Sequence, residues 1–296
     1  MKLDVDLKDN RGRLIAGADR EITPGLLRAV RERGKPRQKK FVLLKQPQFL
    51  KDVRSVIHEK IYNPIFDRPG VRERILKLVR SSRIQSDLFL EILVLRKTSY
   101  HTYRHFLLIG VLAARMADSL KYYGFNPGLS FVYGLTHDIG KIRLAPKLLN
   151  KKDRLTRQEH KTIRSYPIMS LLLLNYYLGK GGREACRVAY EHHETLDGSG
   201  YPKGIKTLSK YTRLVAIADI FDALVAYRPY RRNHFSVRAG LDKLIHGMQA
   251  GKFPRLPVLL LISYFRKGQP NFRTMKVSTR QRDPEPAGNS YGKFAR

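Results

Sequence analysis

Residues 192–202 constrain this chain more than any other segment. They read His-His-Glu-Thr-Leu-Asp-Gly-Ser-Gly-Tyr-Pro, in which two adjacent imidazoles precede two carboxylates and a glycine-containing turn. Two further polar groups lie in apolar surroundings, the His-Asp-Ile-Gly-Lys sequence at 137–141 and Asp219 within residues 213–227. Burying such groups is costly unless a cation or a strong hydrogen-bond partner is present. The pattern therefore predicts a metal site that is assembled from separate segments of a helical scaffold.

The size and composition limit the class of protein. A chain of 296 residues is long enough to bury one large core or two smaller ones. Its single cysteine, Cys186, excludes an intrachain disulfide and fits a reducing compartment. The N-terminus lacks the apolar run of a signal peptide, and the longest apolar segments are too short to cross a bilayer. We therefore expect a cytoplasmic protein without a transmembrane segment.

The net charge of +33 is extreme, and the basic excess is spread along the whole chain. Such a field attracts anions of any kind, from nucleotides to nucleic acids and acidic proteins. However, no homeodomain, zinc-finger, KH or RRM motif accompanies the charge. We therefore favour a generally basic, solvated surface and do not expect nucleic acid to be a partner.

The hydrophobic patterns divide the chain into four parts. Residues 1–46 predict a small α/β module, with alternation at 3–7, a turn at 9–12, and a helix that begins after Thr23. Residues 47–98 predict a helical linker, and residues 99–265 predict a helical domain that carries all the polar motifs. Residues 266–296 are basic and contain proline and glycine, so we expect a disordered tail. The expected fold class is mainly α with a small β-containing N-terminal domain.

Five motifs in this order resemble those of the HD-GYP family, and they cover about residues 99–235. They are His-Asp-Ile-Gly-Lys at 137–141, His-His-Glu at 192–194, Asp-Gly-Ser-Gly-Tyr-Pro at 197–202, Ile-Ala-Asp-Ile-Phe-Asp-Ala-Leu at 217–224 and Arg-Pro-Tyr-Arg at 228–231. The resemblance implies an all-helical domain of the HD superfamily. It also implies a phosphodiesterase that hydrolyses cyclic di-GMP at two or three metal ions, usually iron or manganese. The N-terminal module more loosely resembles a small domain that precedes some members.

The resemblance also assigns metal ligands by position. The expected ligands are His105, His137, Asp138, His192, His193 and Asp219, with Asp138 as the bridge between two ions. His101 lies one helical turn before His105, where members with three metals carry a glutamate. It is expected to be either an additional ligand or a substitute for His105.

The remaining roles concern the substrate. Lys141 lies one helical turn after His137 and is expected to bind the phosphate or assist the departing oxygen. Lys141 and Asp138 are the two expected catalytic residues. Arg228 and Arg231 match family positions that bind the phosphates, although Arg231 replaces a common lysine. Tyr201 is expected to stack on the ligand or to form a hydrogen bond with it.

One position departs from the family pattern, because Tyr166 stands where the family has a ligand histidine before proline. Tyrosine is a poor ligand for divalent ions at neutral pH. The second metal position is therefore weakened, changed in identity or lost, or Tyr166 itself is a ligand. Two functions stay open: hydrolysis of cyclic di-GMP or a related guanine nucleotide, and a sensor or adaptor that binds the nucleotide and signals through protein partners such as GGDEF-type proteins.

Overall fold

The structure is a computed structural model that describes residues 2–34, 40–153, 155–227, 234–278, 280, 283, 284 and 286. Four short strands lie in the first third of the chain. Strands β1 (Leu7–Lys8) and β2 (Leu14–Ala16) form an antiparallel pair, as do β3 (Phe41–Leu43) and β4 (Arg83–Gln85). The β3 strand of the predicted module thus pairs with a strand from the predicted linker. The division of the chain into domains stays a prediction.

Helices make up nearly all of the remaining regular structure, which confirms the mainly α fold class. The α-helices are α1 (Pro24–Gly34), α2 (Pro47–Ile57), α3 (Asn63–Phe66), α4 (Val71–Ser81), α5 (Ser86–Thr98), α6 (Tyr100–Ser119), α7 (Pro127–Thr136), α8 (Pro146–Leu149), α9 (Arg157–Arg164), α10 (Tyr166–Leu178), α11 (Arg183–Glu191), α12 (Lys210–Val225), α13 (Val237–Gln249) and α14 (Arg255–Tyr264). The α1 helix begins as predicted, because the Thr23 hydroxyl accepts a hydrogen bond from the amide of Leu26 at 3.1 Å.

The α6 helix is the centre of the fold and is buried along most of its length. It packs against α7, α12, α2 and α5. The crossing of α6 and α7 is close because Gly134 has no side chain, and a Cβ atom there would lie 2.6 Å from the carbonyl oxygen of Ile109. This close packing brings His105 on α6 to His137, which follows α7, with 5.2 Å between the ring centroids.

The N-terminal elements are attached to the helical body by polar contacts. The Nδ2 atom of Asn175 on α10 donates to the carbonyl oxygen of Leu27 at 2.6 Å. Arg143 donates from Nε to the Lys8 carbonyl at 2.8 Å and from Nη1 to the Glu91 carboxylate at 3.0 Å. Glu91 also accepts from the Tyr177 hydroxyl at 2.6 Å. Since Arg143 lies two residues after Lys141, these contacts join the N-terminal elements to the segment that carries the HD motif.

Replacing Arg143 by alanine is expected to lower the free energy of unfolding by about 3–5 kcal/mol, because the Glu91 carboxylate is buried and would lose its cation. Urea unfolding followed by circular dichroism measures this change. The matched control is Arg74→Ala, which removes a solvent-exposed ion pair with Asp118 and should cost less than about 1 kcal/mol. Equal losses in the two variants would contradict the role of Arg143.

The first part of the predicted tail is not disordered. Met275 is buried against the helical body, and Gln269 donates from Nε2 to the carbonyl oxygen of Pro64 at 2.7 Å. Apolar residues within this basic segment explain the difference, because Met275, Phe272 and Val277 pack against the core. In the part of the chain that the structure describes, no helix combines the length and the hydrophobicity needed to span a membrane.

Candidate metal centre

Four helices deliver the candidate ligands to one buried place. His105 lies within α6, and His137 and Asp138 directly follow α7. His192 and His193 directly follow α11, and Asp219 lies within α12. Most of these side chains sit at helix ends, where the backbone leaves the helix and the side chain can turn into the core. The structure therefore brings together all six metal ligands that the sequence predicts.

Asp138 is at the centre of the group. Its Oδ1 atom lies 3.2 Å from Nε2 of His192, and its Oδ2 atom lies 3.3 Å from Nε2 of His137. The Oδ2 atom also lies 3.6 Å from Nε2 of His105 and accepts a hydrogen bond from the Lys141 ammonium. Both carboxylate oxygens thus face imidazole nitrogens, which is the arrangement expected of a carboxylate shared between two ions.

The outer nitrogens of three histidines are hydrogen-bonded in a way that orients the inner ones. Nδ1 of His137 lies 2.7 Å from the carbonyl oxygen of Gly134, and Nδ1 of His192 lies 3.1 Å from that of Ala189. Because a carbonyl oxygen only accepts, Nδ1 carries the proton in both rings and Nε2 keeps a free electron pair toward Asp138. Nδ1 of His105 lies 2.6 Å from the Oδ2 atom of Asp222.

Unpartnered buried atoms provide a direct test of whether these residues fit a metal. Nε2 of His105, Nε2 of His137 and Oδ1 of Asp138 are buried and have no hydrogen-bond partner among the described residues. Leaving such atoms unsatisfied is costly. Three groups have ligand atoms within 4.8 Å of one another: His105, His137 and Asp138; His137, His192 and Asp219; and Asp138, His192 and His193. The donor set of imidazoles and carboxylates therefore fits divalent metal ions.

The electrostatics of these side chains agree with this conclusion. Burial opposes protonation of His105, but the three carboxylates that face its ring, those of Asp138, Asp219 and Asp222, outweigh burial and raise its pKa to about 10. Burial alone would raise the pKa of Asp138, yet the charges of His137 and Lys141 hold that pKa well below its usual range. Burial lowers the pKa of His193. The carboxylates are therefore ionised and require positive charge, which a proton on His105 or a cation can supply.

Tyr166, the first residue of α10, lies beside the paired histidines. Its hydroxyl is in hydrogen-bond contact with Nε2 of His193 and lies 3.2 Å from Nε2 of His192. Burial, reinforced by the charge of Asp138, raises the pKa of Tyr166 well above that of a free phenol. At neutral pH the side chain is thus an uncharged phenol that faces two imidazoles. The suggestion that it is a metal ligand stays a prediction.

The loop after the paired histidines forms a wall of the site. The Tyr201 ring stacks on His193 with 4.6 Å between centroids. Arg164, the last residue of α9, places its guanidinium 4.0 Å from the centroid of the Tyr201 ring. The turn requires glycine at position 200, because a Cβ atom there would lie 2.4 Å from the Cα atom of Glu194. Glu194 accepts from the amide of Lys203 at 2.6 Å. Tyr201 is thereby held by stacking against a candidate ligand.

A cavity of about 160 Å³ opens beside His105. Its wall carries the cationic side chains of Lys141 and Lys151 beside apolar ones such as Leu149. His101 also lines this cavity and is absent from the three ligand groups found among the described residues. Its Nδ1 atom lies 3.4 Å from the Ser99 hydroxyl. Arg228 and Arg231 lie outside the described residues.

Asp222 belongs to the site, although the sequence motifs alone do not predict it. Besides His105, this carboxylate accepts hydrogen bonds from the Tyr62 hydroxyl at 2.5 Å and from Nη1 of Arg104 at 3.1 Å. Arg104 in turn pairs with Glu59. A signal was present, because Asp219 and Asp222 lie three residues apart on one face of an apolar helix.

Replacing Asp222 by asparagine is expected to weaken metal binding by about 10–100-fold, because the carboxylate orients His105 and increases its basicity. Manganese titration of the purified chain measures this affinity. The control is Asp118→Asn, since Asp118 lies at the opposite end of α6 from His105 and makes a long ion pair with Arg74, at 3.9 Å. A variant at Asp222 that binds manganese like wild type would contradict the positioning role.

Comparison with known proteins identifies the family to which this chain belongs. The family model described as HD domain matches residues 93–252, more than half of the chain, so the chain belongs to the HD domain family. Within that family, the motif-based assignment to the HD-GYP proteins is confirmed. A solved structure of an HDG"Y"P protein from Bdellovibrio bacteriovorus is 16% identical with a TM-score of 0.42, and the match covers 87% of this chain and 93% of that one.

The curated relatives are much longer than this chain. The 3'3'-cGAMP-specific phosphodiesterase 1 of Vibrio cholerae is 32% identical over 159 residues, which is 52% of this chain and 36% of the relative. The cyclic di-GMP phosphodiesterase of Thermotoga maritima is 34% identical over 133 residues, which is 44% of this chain and 36% of the relative. The cyclic di-GMP phosphodiesterase response regulator RpfG of Xanthomonas campestris is 37% identical over 97 residues, 32% of this chain and 26% of the relative. The chain thus spans about a third or less of each of these proteins.

Proposed function

We propose that this chain is a metal-dependent phosphodiesterase that hydrolyses a cyclic dinucleotide, with cyclic di-GMP or a related guanine nucleotide as the substrate. The observation that carries the proposal is the convergence of three imidazoles on one ionised carboxylate, Asp138, with buried ligand atoms that have no hydrogen-bond partner among the described residues. Curated relatives named as cyclic di-GMP and 3'3'-cGAMP phosphodiesterases support the substrate class. We propose two ions, iron or manganese, held by His105, His137, Asp138, His192, His193 and Asp219.

Divalent ions at this site would supply a water of lowered pKa and neutralise charge on the phosphate oxygens. The protein's own groups position the reaction. Lys141 is held by Asp138 at the wall of the cavity, where its ammonium can bind a phosphate oxygen or stabilise the departing oxygen. Lys141 and Asp138 are therefore the proposed catalytic pair.

The proposed substrate site extends from the metal centre into the cavity beside His105. Lys141 and Lys151 offer positive charge to phosphates, and Leu149 offers an apolar surface to a guanine base. Tyr201, Arg228 and Arg231 complete the proposed phosphate and base contacts, as the family resemblance implies. Cyclic dinucleotides combine two phosphates with two flat bases, so a cavity of about 160 Å³ with both kinds of lining suits one part of such a ligand.

The test is hydrolysis by the purified full chain supplied with manganese or with ferrous iron under anaerobic conditions. Cyclic di-GMP and 3'3'-cGAMP are offered separately, and linear dinucleotide and mononucleotide products are resolved by chromatography. We expect turnover that requires metal and stops on chelation. A metal-loaded chain that hydrolyses neither nucleotide would contradict the proposal.

A second candidate function is favoured by one observation, the uncharged phenol of Tyr166 between His192 and His193. In that case the chain binds the cyclic dinucleotide without useful turnover and passes the signal to a protein partner such as a GGDEF-type protein. The same experiment distinguishes the two functions when calorimetric binding of the nucleotide is measured beside hydrolysis. Tight binding without product would favour the sensor.

A further inference from the structure

A second cavity, of about 600 Å³, lies between the N-terminal helix α1 and helices α10 and α11. No candidate metal ligand lines it, so it is separate from the metal centre. Its lining contains one carboxylate, Glu191, and five basic side chains. The basic residues are Arg31, Lys180, Arg183, Arg187 and Lys203.

Most of this positive charge is not neutralised within the protein. The Glu191 carboxylate already accepts from Nε of Arg187 at 2.9 Å. Lys180 and Arg183 make no ion pair or hydrogen bond through their side chains with any residue in the described ranges, and both are exposed at the rim. The rim of the cavity therefore offers ammonium and guanidinium groups that are available to an anion.

The floor of the cavity is different in character. Leu27 from α1 and Leu171 from α10 contribute apolar surface, and the largely buried ring of Tyr190 lies beside them. Asn175 is also in the lining, is 5% exposed, and accepts from Nε of Arg31 at 3.2 Å. Inorganic phosphate would bind the basic groups at the rim and make no contact with the apolar floor, whereas an anion with a flat or apolar body would contact both.

We propose that this cavity is a second ligand site, which binds an organic phosphate of nucleotide size. The phosphate contacts Lys180 and Arg183 at the rim, and the body of the ligand lies on the apolar floor. The volume falls within the range of small-molecule sites, roughly 300–1,000 Å³. The site does not depend on the proposed hydrolysis, because it shares no side chain with the metal centre.

The cavity is nevertheless connected to the metal centre through α11. That helix begins with Arg183 at the rim of the cavity and ends at Glu191, directly before His192 and His193. Lys203, which also lines the cavity, donates its amide to Glu194. A ligand in the cavity therefore contacts the same helix and loop that position two candidate metal ligands, so an effect of the ligand on metal-dependent activity is expected.

The test uses mant-GTP, a fluorescent nucleotide, and the full-length chain in about 150 mM salt, which screens long-range attraction. The double variant Lys180→Glu with Arg183→Glu should weaken binding by at least about tenfold. The matched control is Lys51→Glu with Arg54→Glu, which makes the same change of charge in a different basic groove and should alter binding by less than about twofold. Asp138→Asn should retain the part of mant-GTP binding that depends on Lys180 and Arg183, because Asp138 lies at the metal centre and does not line this cavity.

The single thiol of the chain locates the bound probe. Cys186 lines the cavity and is largely buried, so its alkylation by N-ethylmaleimide should be slow and should become slower still with saturating mant-GTP. Binding that leaves the alkylation rate unchanged would overturn the proposal. So would equal losses in the two double variants, loss of that part of the binding in Asp138→Asn, or no binding of mant-GTP to wild type.

Discussion

Replacing Asp138 by asparagine is expected to remove bound metal and hydrolysis together. The carboxylate faces Nε2 of His137 and of His192 from its two oxygens, so it can contact both proposed ions. Asparagine keeps the shape but loses the charge and one acceptor atom. We expect metal content to fall from the wild-type level to below about half an equivalent per chain. We expect turnover to fall by about a thousandfold or more.

The measurement is elemental analysis of protein that was purified without chelator, combined with the hydrolysis assay. The matched control is Asp242→Asn, because Asp242 is also buried but pairs with Arg238 on α13 and belongs to none of the three candidate ligand groups found among the described residues. It should retain wild-type metal content and lose no more than about twofold in rate. Full metal content in the Asp138 variant would exclude Asp138 as the bridging ligand.

The candidate ligands could be predicted because each motif is local. His137 and Asp138 are adjacent, as are His192 and His193, and Asp219 is a charge inside an apolar helix, so every signal lies within a few residues. The cost of burying these polar groups predicted that the motifs share one metal site, and the family resemblance assigned the individual ligands. His105 was predicted as a ligand from its position in the register of a single helix. In the structure its Nε2 atom lies 3.2 Å from the Oδ1 atom of Asp219. His101, one turn earlier, lines the cavity.

What escaped prediction depends on contacts between distant parts of the chain. Asp222 receives hydrogen bonds from Tyr62 and Arg104, which lie more than 100 residues earlier. The β3 strand pairs with residues 83–85, although a hairpin within the N-terminal module would have been the shorter connection. The packing of Met275 likewise depends on an apolar surface elsewhere in the fold. Local patterns identify such residues as polar or apolar but do not identify their partners.

Replacing Tyr166 by histidine is expected to increase both metal content and turnover. The phenol hydroxyl now lies between Nε2 of His192 and Nε2 of His193, and its raised pKa keeps it protonated, so it offers a proton where a metal ion needs an electron pair. An imidazole at this position would supply that electron pair. We expect up to about one additional equivalent of manganese or iron per chain and a rate increase of about tenfold or more.

Tyr166→Phe separates the gain of a ligand from the loss of the phenol. Phenylalanine removes the hydroxyl and adds no donor atom, so metal content should not rise above that of wild type. A second metal position that is merely obstructed by the hydroxyl would gain metal in both variants, because both free the His192 and His193 nitrogens. If the histidine variant binds no more metal than wild type and the phenylalanine variant loses turnover, the phenol itself contributes to catalysis. In that outcome Tyr166 acts as a hydrogen-bond donor within an active centre, and the prediction that it replaces a ligand would be wrong.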